Sequence, residues 1–253
     1  MNTSIKTAVI TGASSGIGLD LSRLLARDGY RLFLVARSEA KLRELANAIG
    51  NATVIVADLV APDAPQRIFA TTGPADVLIN NAGFGLSGPF VEIDLQKELE
   101  MIQVNIAALT ALTKLYLPPM LALKSGRIMN LASTAAFQPG PLMAVYYATK
   151  SYVLSFSEAL ADELRDTGVT VTALCPGPTA TGFAAEAGME ESRLFKLSKP
   201  MPSEKVARYG IRAMERGKRV AIPGIANKLL TQSIRVSPRR LVTAIVRKLQ
   251  ESR

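Results

Sequence analysis

The stretch Thr7–Ala26, TAVITGASSGIGLDLSRLLA, decides how the rest of the chain is read. A short apolar run, Ala8-Val9-Ile10, stops at Thr11, glycines come next in the pattern TG-x-x-x-G-x-G, and a helical pattern begins. Gly12 permits a tight turn at positive φ, while Gly16 and Gly18 let the backbone approach a ligand and let the helix lie close on its strand. The helix start aims unpaired N–H groups and the positive end of its dipole at whatever sits above the turn. The segment therefore reads as a phosphate site lined by Gly12, Ser14, Ser15, Gly16, Ile17 and Gly18. A glycine-rich strand–turn–helix alone is a weak signal, and the residues downstream of it carry the weight.

Outward from that turn, apolar β-like runs alternate with amphipathic helical stretches, the signature of a parallel sheet covered on both faces. The first helix carries Ile17, Leu21, Leu24 and Leu25 on one face. Strands are expected over 31–36, 53–57, 77–79, 127–131 and 169–174, with an edge strand at 220–222; the runs at 53–57 and 77–79 read as buried. Long helices are expected over 98–117 and 145–165, both with little charge, and Leu42, Leu45, Ala46 and Ile49 make a shorter stripe after Ser38. Two segments break the alternation: 176–202, a loop-rich insertion, and 225–253, a basic helical tail. The expected architecture is α/β, a Rossmann-like doubly wound parallel sheet in a single domain over 1–253.

Composition narrows the chemistry. The chain of 253 residues has no histidine, which removes Ser-His-Asp triads, Cys-His pairs and histidine metal sites; no metal site is expected. Its one cysteine, Cys175, excludes an internal disulfide, reads as a small core residue and fits a reducing compartment. The N-terminus has no signal-peptide pattern and no apolar run looks long enough to cross a bilayer, so a cytoplasmic location is expected. The net charge of +9 is uneven: residues 1–189 hold 14 Lys+Arg against 16 Asp+Glu, residues 190–253 hold 16 against 5. A basic quarter of this kind is a solvated face, the favoured reading, or a contact for an acidic surface, anionic lipid or a polyanionic substrate.

TGASSGIG (11–18), Asp58, NNAG (80–83), Asn105, Ser133, Tyr146-x-x-x-Lys150 and Pro176-Gly177 occur in an order and spacing that resemble the short-chain dehydrogenase/reductase family over roughly residues 5–224. More narrowly, the chain is similar to bacterial NADP-dependent short-chain reductases. Tyr146 and Lys150 are one helical turn apart, so both project from one face. A phenol ionises near pH ~10, and a nearby ammonium is expected to lower that value into the range of proton transfer. Adjacent Tyr147 has Ser151 as its four-residue partner, which offers no charge. The resemblance implies that Tyr146 is the general acid in carbonyl reduction and the base in alcohol oxidation. It also implies that Lys150 holds the nicotinamide ribose and that Asn105 holds a water linking the lysine to solvent. Ser133, just past a strand, can donate to a substrate oxygen.

Cofactor preference is read from position 37. An NAD-selective site places a carboxylate near the end of the second strand; here Ala36 is followed by Arg37, whose guanidinium can grip a 2′-phosphate. NADP(H) is therefore expected, although a surface arginine at a helix start is the plainer alternative. The resemblance further implies that Asp58 and Leu59 meet the adenine and that Asn81, Ala82 and Gly83 line the ribose. Pro176, Gly177, Thr179 and Thr181 then contact the nicotinamide and pyrophosphate. Phe183, Met189, Leu194, Phe195, Leu197 and Met201 of the insertion, with Phe84, Leu86, Phe137, Leu142 and Met143, are expected to form an apolar pocket for a hydrophobic ketone or acyl-type substrate. A non-catalytic NADP-binding scaffold is the competing reading. The resemblance implies homodimers or homotetramers paired through the two long helices, whose low charge is consistent with this, and no nucleic-acid partner is expected. In the tail, Leu241, Val242, Ile245 and Leu249 make one apolar face among Arg239, Arg240, Arg247 and Lys248. That face either packs on the body or across the pocket, the favoured reading, or lies on an anionic membrane.

Overall fold

The computed structural model describes residues 5–189, 192–194 and 198–251. Seven strands run parallel in one sheet: β1 (Thr7–Thr11), β2 (Arg31–Ala36), β3 (Ala52–Val56), β4 (Val77–Asn80), β5 (Gly126–Leu131), β6 (Val169–Leu174) and β9 (Val220–Ala221). A separate short pair, β7 (Thr179–Ala180) and β8 (Met201–Pro202), closes the ends of the 176–202 insertion against each other. The sheet order β3-β2-β1-β4-β5-β6-β9 reverses direction between β1 and β4, and ligands of such sheets bind in the crevice at that reversal.

Side-chain alternation explains why the strands read as unbroken apolar runs. Ala8 and Ile10 of β1 face Leu21 and Leu25 of α1 (Gly16–Arg27), while Val9 faces Leu112 and Tyr116 of α5 (Leu109–Ala122) on the other side. Leu21, Leu25 and Leu112 are fully buried, each contributing about 1.5–3 kcal/mol relative to exposure. The strand expected over 53–57 as a buried element is instead the half-exposed edge strand β3, because the sheet ends there and no neighbour among the described residues covers its far side.

The long helix expected over 98–117 is longer and interrupted: α4 (Leu95–Ile102), a π-helical turn Gln103–Ala108, then α5. The whole run, Leu95–Ala122, has mean hydropathy 1.2 over its best window and is long and apolar enough to cross a membrane, against expectation. Its apolar face is spent under the sheet, through Leu112, Tyr116 and Met120. The second long helix, α6 (Ala144–Glu163), lies within a residue or two of expectation. Besides α2 (Glu39–Ile49), two unanticipated helices complete the layers. They are α3 (Ala64–Thr72), which starts with Pro65 in its first turn, and α8 (Ser203–Glu215), which buries Val206, Ala207, Ile211 and Met214 at helical spacing. The insertion contains the single turn α7 (Phe183–Glu186), and the tail forms α9 (Ile225–Val236) and α10 (Arg239–Gln250).

Candidate active site

The turn after β1 is built from main chain, and its shape depends on two glycines. Gly12 has φ of 65°, and a Cβ there would meet Asn81 Nδ2 at 2.7 Å. A Cβ on Gly18 would lie 2.2 Å from the Gly12 carbonyl oxygen, so the helix can only approach the turn this closely without a side chain. Asn81, just past β4, clamps the pair: its Nδ2 donates to the carbonyls of Thr11 (2.9 Å) and Gly12 (3.1 Å). Its own N–H and that of Ala82 donate to Thr11 Oγ1, both at 3.0 Å. The first N–H groups of α1 then face a cleft of about 750 Å³ with Gly12, Ser14, Ser15, Gly16 and Ile17 along its floor. Gly18 sits behind this floor and serves packing.

Arg37, Asp58, Leu59, Asn81, Ala82 and Gly83 line one end of the same cleft, while Ser133, Tyr146, Lys150, Pro176, Gly177, Thr179 and Thr181 line its middle. Two cations that sequence reading missed join Arg37. Lys41 is an exposed residue in the first turn of α2, and Lys97 comes from α4, paired to Glu100 at 2.8 Å. The i, i+4 spacing of Arg37 and Lys41 around Ser38 was a usable signal; nothing local points to Lys97. Asp58 spends one carboxylate oxygen on the N–H of Val60 (3.0 Å), and Leu59 is buried beside it. Thr179 and Thr181 lie at the foot of the insertion, where their hydroxyls fix the local turn: Thr179 donates to the Gly177 carbonyl and Thr181 accepts from the N–H of Phe183.

At the centre, Tyr146 and Lys150 project together from the first turns of α6, and both are more than nine-tenths buried. The Ser133 hydroxyl faces the Tyr146 phenol and favours its ionised form, but burial outweighs this and raises the phenol above its ordinary value. The expectation that the ammonium brings the phenol into the neutral range is therefore not met by these residues alone. Lys150 Nζ donates to the Leu131 carbonyl at 2.7 Å and lies over the Tyr146 ring, 5.8 Å from its centroid. Burial also lowers Lys150 itself, to about 8. The result is a phenol that holds its proton at neutral pH.

Asn105 sits in the π turn and is buried. Its Oδ1 accepts from the N–H of Phe84 (3.2 Å), and its Nδ2 donates to the Phe84 carbonyl (3.0 Å) and to Thr149 Oγ1 (3.0 Å). Thr149 in turn donates to the Tyr146 carbonyl at 2.7 Å. The side chain thus ties the loop after β4 to the helix that bears the tyrosine. Beneath it, Asn80 donates to Asn130 Oδ1 (2.9 Å) and Asn130 to Ser157 Oγ (3.0 Å), a buried chain across β4, β5 and α6. Cys175 is fully buried and its thiol is pushed up to about 12, chiefly by burial, which makes it inert as expected.

The substrate side agrees with expectation in part. Phe84, Leu86, Met143, Phe183, Met189 and Leu194 line the cleft, with the Phe183 ring 5.3 Å from that of Tyr146. Phe137 lines a second cavity of about 630 Å³ instead, and Met201 packs against the core under α8. Leu142 is not among the cleft residues. Phe195 and Leu197 lie outside the described residues. The tail packs across the pocket, within the favoured reading: Val246, Leu249 and Gln250 of α10 line the cleft, and Val242 and Val246 pack with Met143, Tyr146 and Tyr147, although Val246 and Gln250 are not on the expected face. Gln250, 3% exposed, donates through Nε2 to Tyr147 Oη at 2.6 Å, while its Oε1 has no partner among the described residues. The next residue, Glu251, accepts through its main-chain oxygen from the N–H of Arg193 in the insertion (3.1 Å).

A model of the short chain dehydrogenase family matches residues 6–192. The ketoacyl reductase HetN of Nostoc sp. is 34% identical over 204 residues, covering 77% of this chain and 71% of HetN. Among solved structures, a short-chain dehydrogenase from Sphingobium yanoikuyae in complex with NADPH is 30% identical with a TM-score of 0.82, covering 93% of this chain and 96% of that one. The bulky-bulky ketone specific alcohol dehydrogenase from Comamonas testosteroni is also 30% identical, with a TM-score of 0.77 over 94% of this chain and 96% of that one. With a phenol, a hydroxyl and a buried lysine gathered at the mouth of a glycine turn, and with these relatives, the chain belongs to the short-chain dehydrogenase/reductase family and is an oxidoreductase of CH–OH and C=O groups.

Proposed function

We propose that the protein is an NADP(H)-dependent reductase of hydrophobic ketones or acyl-type carbonyl compounds. The observation that carries this reading is the buried phenol of Tyr146. Kept protonated by its surroundings, it faces Ser133 inside an apolar chamber that opens onto the glycine turn. When bound, the nicotinamide supplies the hydride. The chain's own residues do the rest. The Ser133 hydroxyl donates to the carbonyl oxygen, and Tyr146 transfers its phenolic proton to that oxygen as charge develops there. Lys150, charged below about pH 8, anchors to Leu131 and presents its remaining N–H groups to the ribose. The reverse reaction starts from the ionised phenol, which burial disfavours.

The donor set suits a dinucleotide with a 2′-phosphate. The helix start at Gly16 would offer main-chain N–H groups to the pyrophosphate, and Arg37 and Lys41 gather positive charge where the adenosine ribose would lie, while Lys97 is paired to Glu100. Phe84, Leu86, Met143, Phe183, Met189 and Leu194 offer an apolar surface for the body of the substrate. Such a surface agrees with the ketoacyl and bulky-ketone specificities for which the Nostoc and Comamonas relatives are named. Leu95, Leu99 and Ile102 of α4 and Tyr152 of α6 are exposed side chains on the two long helices, and we assign them to a subunit contact.

The test is a panel of bulky and small ketones with NADPH, followed at the nicotinamide absorbance. Tyr146→Phe is expected to lose at least about a thousandfold in kcat while NADPH affinity and fold stay unchanged. Retained turnover would reassign the acid, and activity confined to small polar carbonyls would overturn the substrate class.

A further inference from the structure

Helix α9 is turned inside out. Its inward stripe is Asn227, Thr231 and Ile234, and Thr231 is its one fully buried residue. Three of its five large apolar side chains point to solvent: Ile225 is 77% exposed, Leu229 67% and Val236 86%. On α10 the inner face is Val242, Val246 and Gln250, leaving Leu241 and Ile245 about half exposed. A twelve-residue helix folded against a core would bury such residues; leaving several in water on adjoining helices marks a surface with a missing partner.

Charge selects that partner. The two helices carry Lys228, Arg235, Arg239, Arg240, Arg247 and Lys248 and no acidic residue at all, and every one of these cations is exposed. A second copy docking the same face would bring like charge against like charge. A nucleic acid would be met by basic residues interleaved with aromatic ones, yet 225–251 contains no aromatic residue. Aliphatic side chains among lysines and arginines are what an anionic bilayer accommodates: the apolar groups enter the headgroup boundary and the cations meet lipid phosphates. The same two helices also supply Leu230, Val246 and Leu249 to the substrate chamber.

We propose that α9 and α10 form a docking surface for anionic lipid bilayers, which holds the mouth of the substrate chamber at the membrane where apolar carbonyl compounds partition. The docking itself does not depend on the reductase reading; only the purpose given to it does.

The experiment is flotation of the full-length, NADPH-loaded protein with mixed phosphatidylcholine–phosphatidylglycerol vesicles and with pure phosphatidylcholine vesicles. Wild type is expected to float with the mixed vesicles alone. Arg235→Glu with Arg240→Glu and Lys248→Glu is expected to weaken binding about a hundredfold, at roughly fivefold per charge near the surface. Ile225→Ser with Leu229→Ser and Leu241→Ser is expected to lose at least about tenfold. NADPH affinity, melting temperature and turnover of a water-soluble ketone should match wild type in both variants, which establishes that they fold. Wild type that stays out of the mixed vesicles, or a charge variant that floats as wild type does, would overturn the proposal. So would an apolar variant that instead converts an oligomer to a smaller species by light scattering. Because flotation reads no turnover and the soluble-ketone assay reads no lipid, failure of this surface and failure of the reductase reading are told apart.

Discussion

The two ends of the cleft are made in different ways. At the cofactor end, the turn after β1 and the end of β4 are joined through main-chain groups that each element's side chain holds: Asn81 Nδ2 donates to the Thr11 and Gly12 carbonyls, and Thr11 Oγ1 accepts from the N–H groups of Asn81 and Ala82. At the substrate end, the wall is side chains from the insertion and the tail, held by apolar packing, the Gln250–Tyr147 bond and the Arg193–Glu251 main-chain bond. A wall of main chain cannot yield without losing its shape, whereas a wall of side chains can be recut residue by residue. The difference teaches where tolerance lies: the first end fixes one ligand class, and the second is free to set specificity.

The largest effect is expected where main chain meets main chain. In Gly18→Ala the new methyl would sit 2.2 Å from the Gly12 carbonyl oxygen and 2.4 Å from Asn81 Nδ2, so either the helix moves off its turn or the clamp breaks. Overpacking of this kind costs about 1–3 kcal/mol, or more where backbone is the obstacle. NADPH affinity should fall about a hundredfold, on the conversion of about 1.4 kcal/mol per tenfold, and the thermal midpoint should drop with it. Fluorescence titration of NADPH alongside a melting curve checks both. A variant with wild-type affinity would mean that the turn is softer than its contacts imply.

A smaller, selective effect is expected at the rim of the same end. Arg37 is exposed, and Lys41 lines the same cleft, so its loss is partly covered by that neighbour. A hydrogen bond to a charged group contributes about 1.5–3 kcal/mol, so Arg37→Ala should raise the KM for NADPH about tenfold and leave that for NADH unchanged. Measuring kcat/KM with both cofactors separates the cases. Equal values for the wild-type protein would remove the NADP preference altogether.

Legibility in the sequence divides along the same line. The β1–turn–α1 unit is local, so glycine spacing and one apolar run located it, and the Tyr146/Lys150 pair was legible because four residues make one helical turn. Lys97 was not, because it reaches the Arg37 region from a distant helix, a meeting that only the packing of α4 creates. Nor was the effect of burial on Tyr146: sequence showed the ammonium one turn away but not the Phe183 ring or the Leu131 carbonyl that takes the ammonium's bond. In the tail, apolar periodicity pointed to Leu241, Val242, Ile245 and Leu249, whereas the buried stripe is Val242, Val246 and Gln250. The helix is rotated from its hydrophobic optimum because a glutamine finds its partner, Tyr147, on another element, and local pattern carries no trace of that partner.

That rotated stripe supplies the smallest expected effect and the finest test of the contrast. Gln250→Leu removes the 2.6 Å bond to Tyr147 Oη, a loss of about 0.5–1.5 kcal/mol, but it also removes Oε1, a buried acceptor without a partner among the described residues, whose presence costs a comparable amount. The two contributions oppose each other, so the melting temperature should barely move. Substrate binding should respond, because Tyr147 then keeps only Gln138 facing its hydroxyl and the chamber wall gains a branched apolar group. A twofold to tenfold change in KM for bulky ketones is expected, from about 0.5–1.4 kcal/mol, with kcat and the KM for NADPH unchanged. Steady-state kinetics with two ketones of different bulk measures it. If the NADPH constant moved instead, the tail would be bracing the cofactor end, and the division between a main-chain end and a side-chain end would not hold.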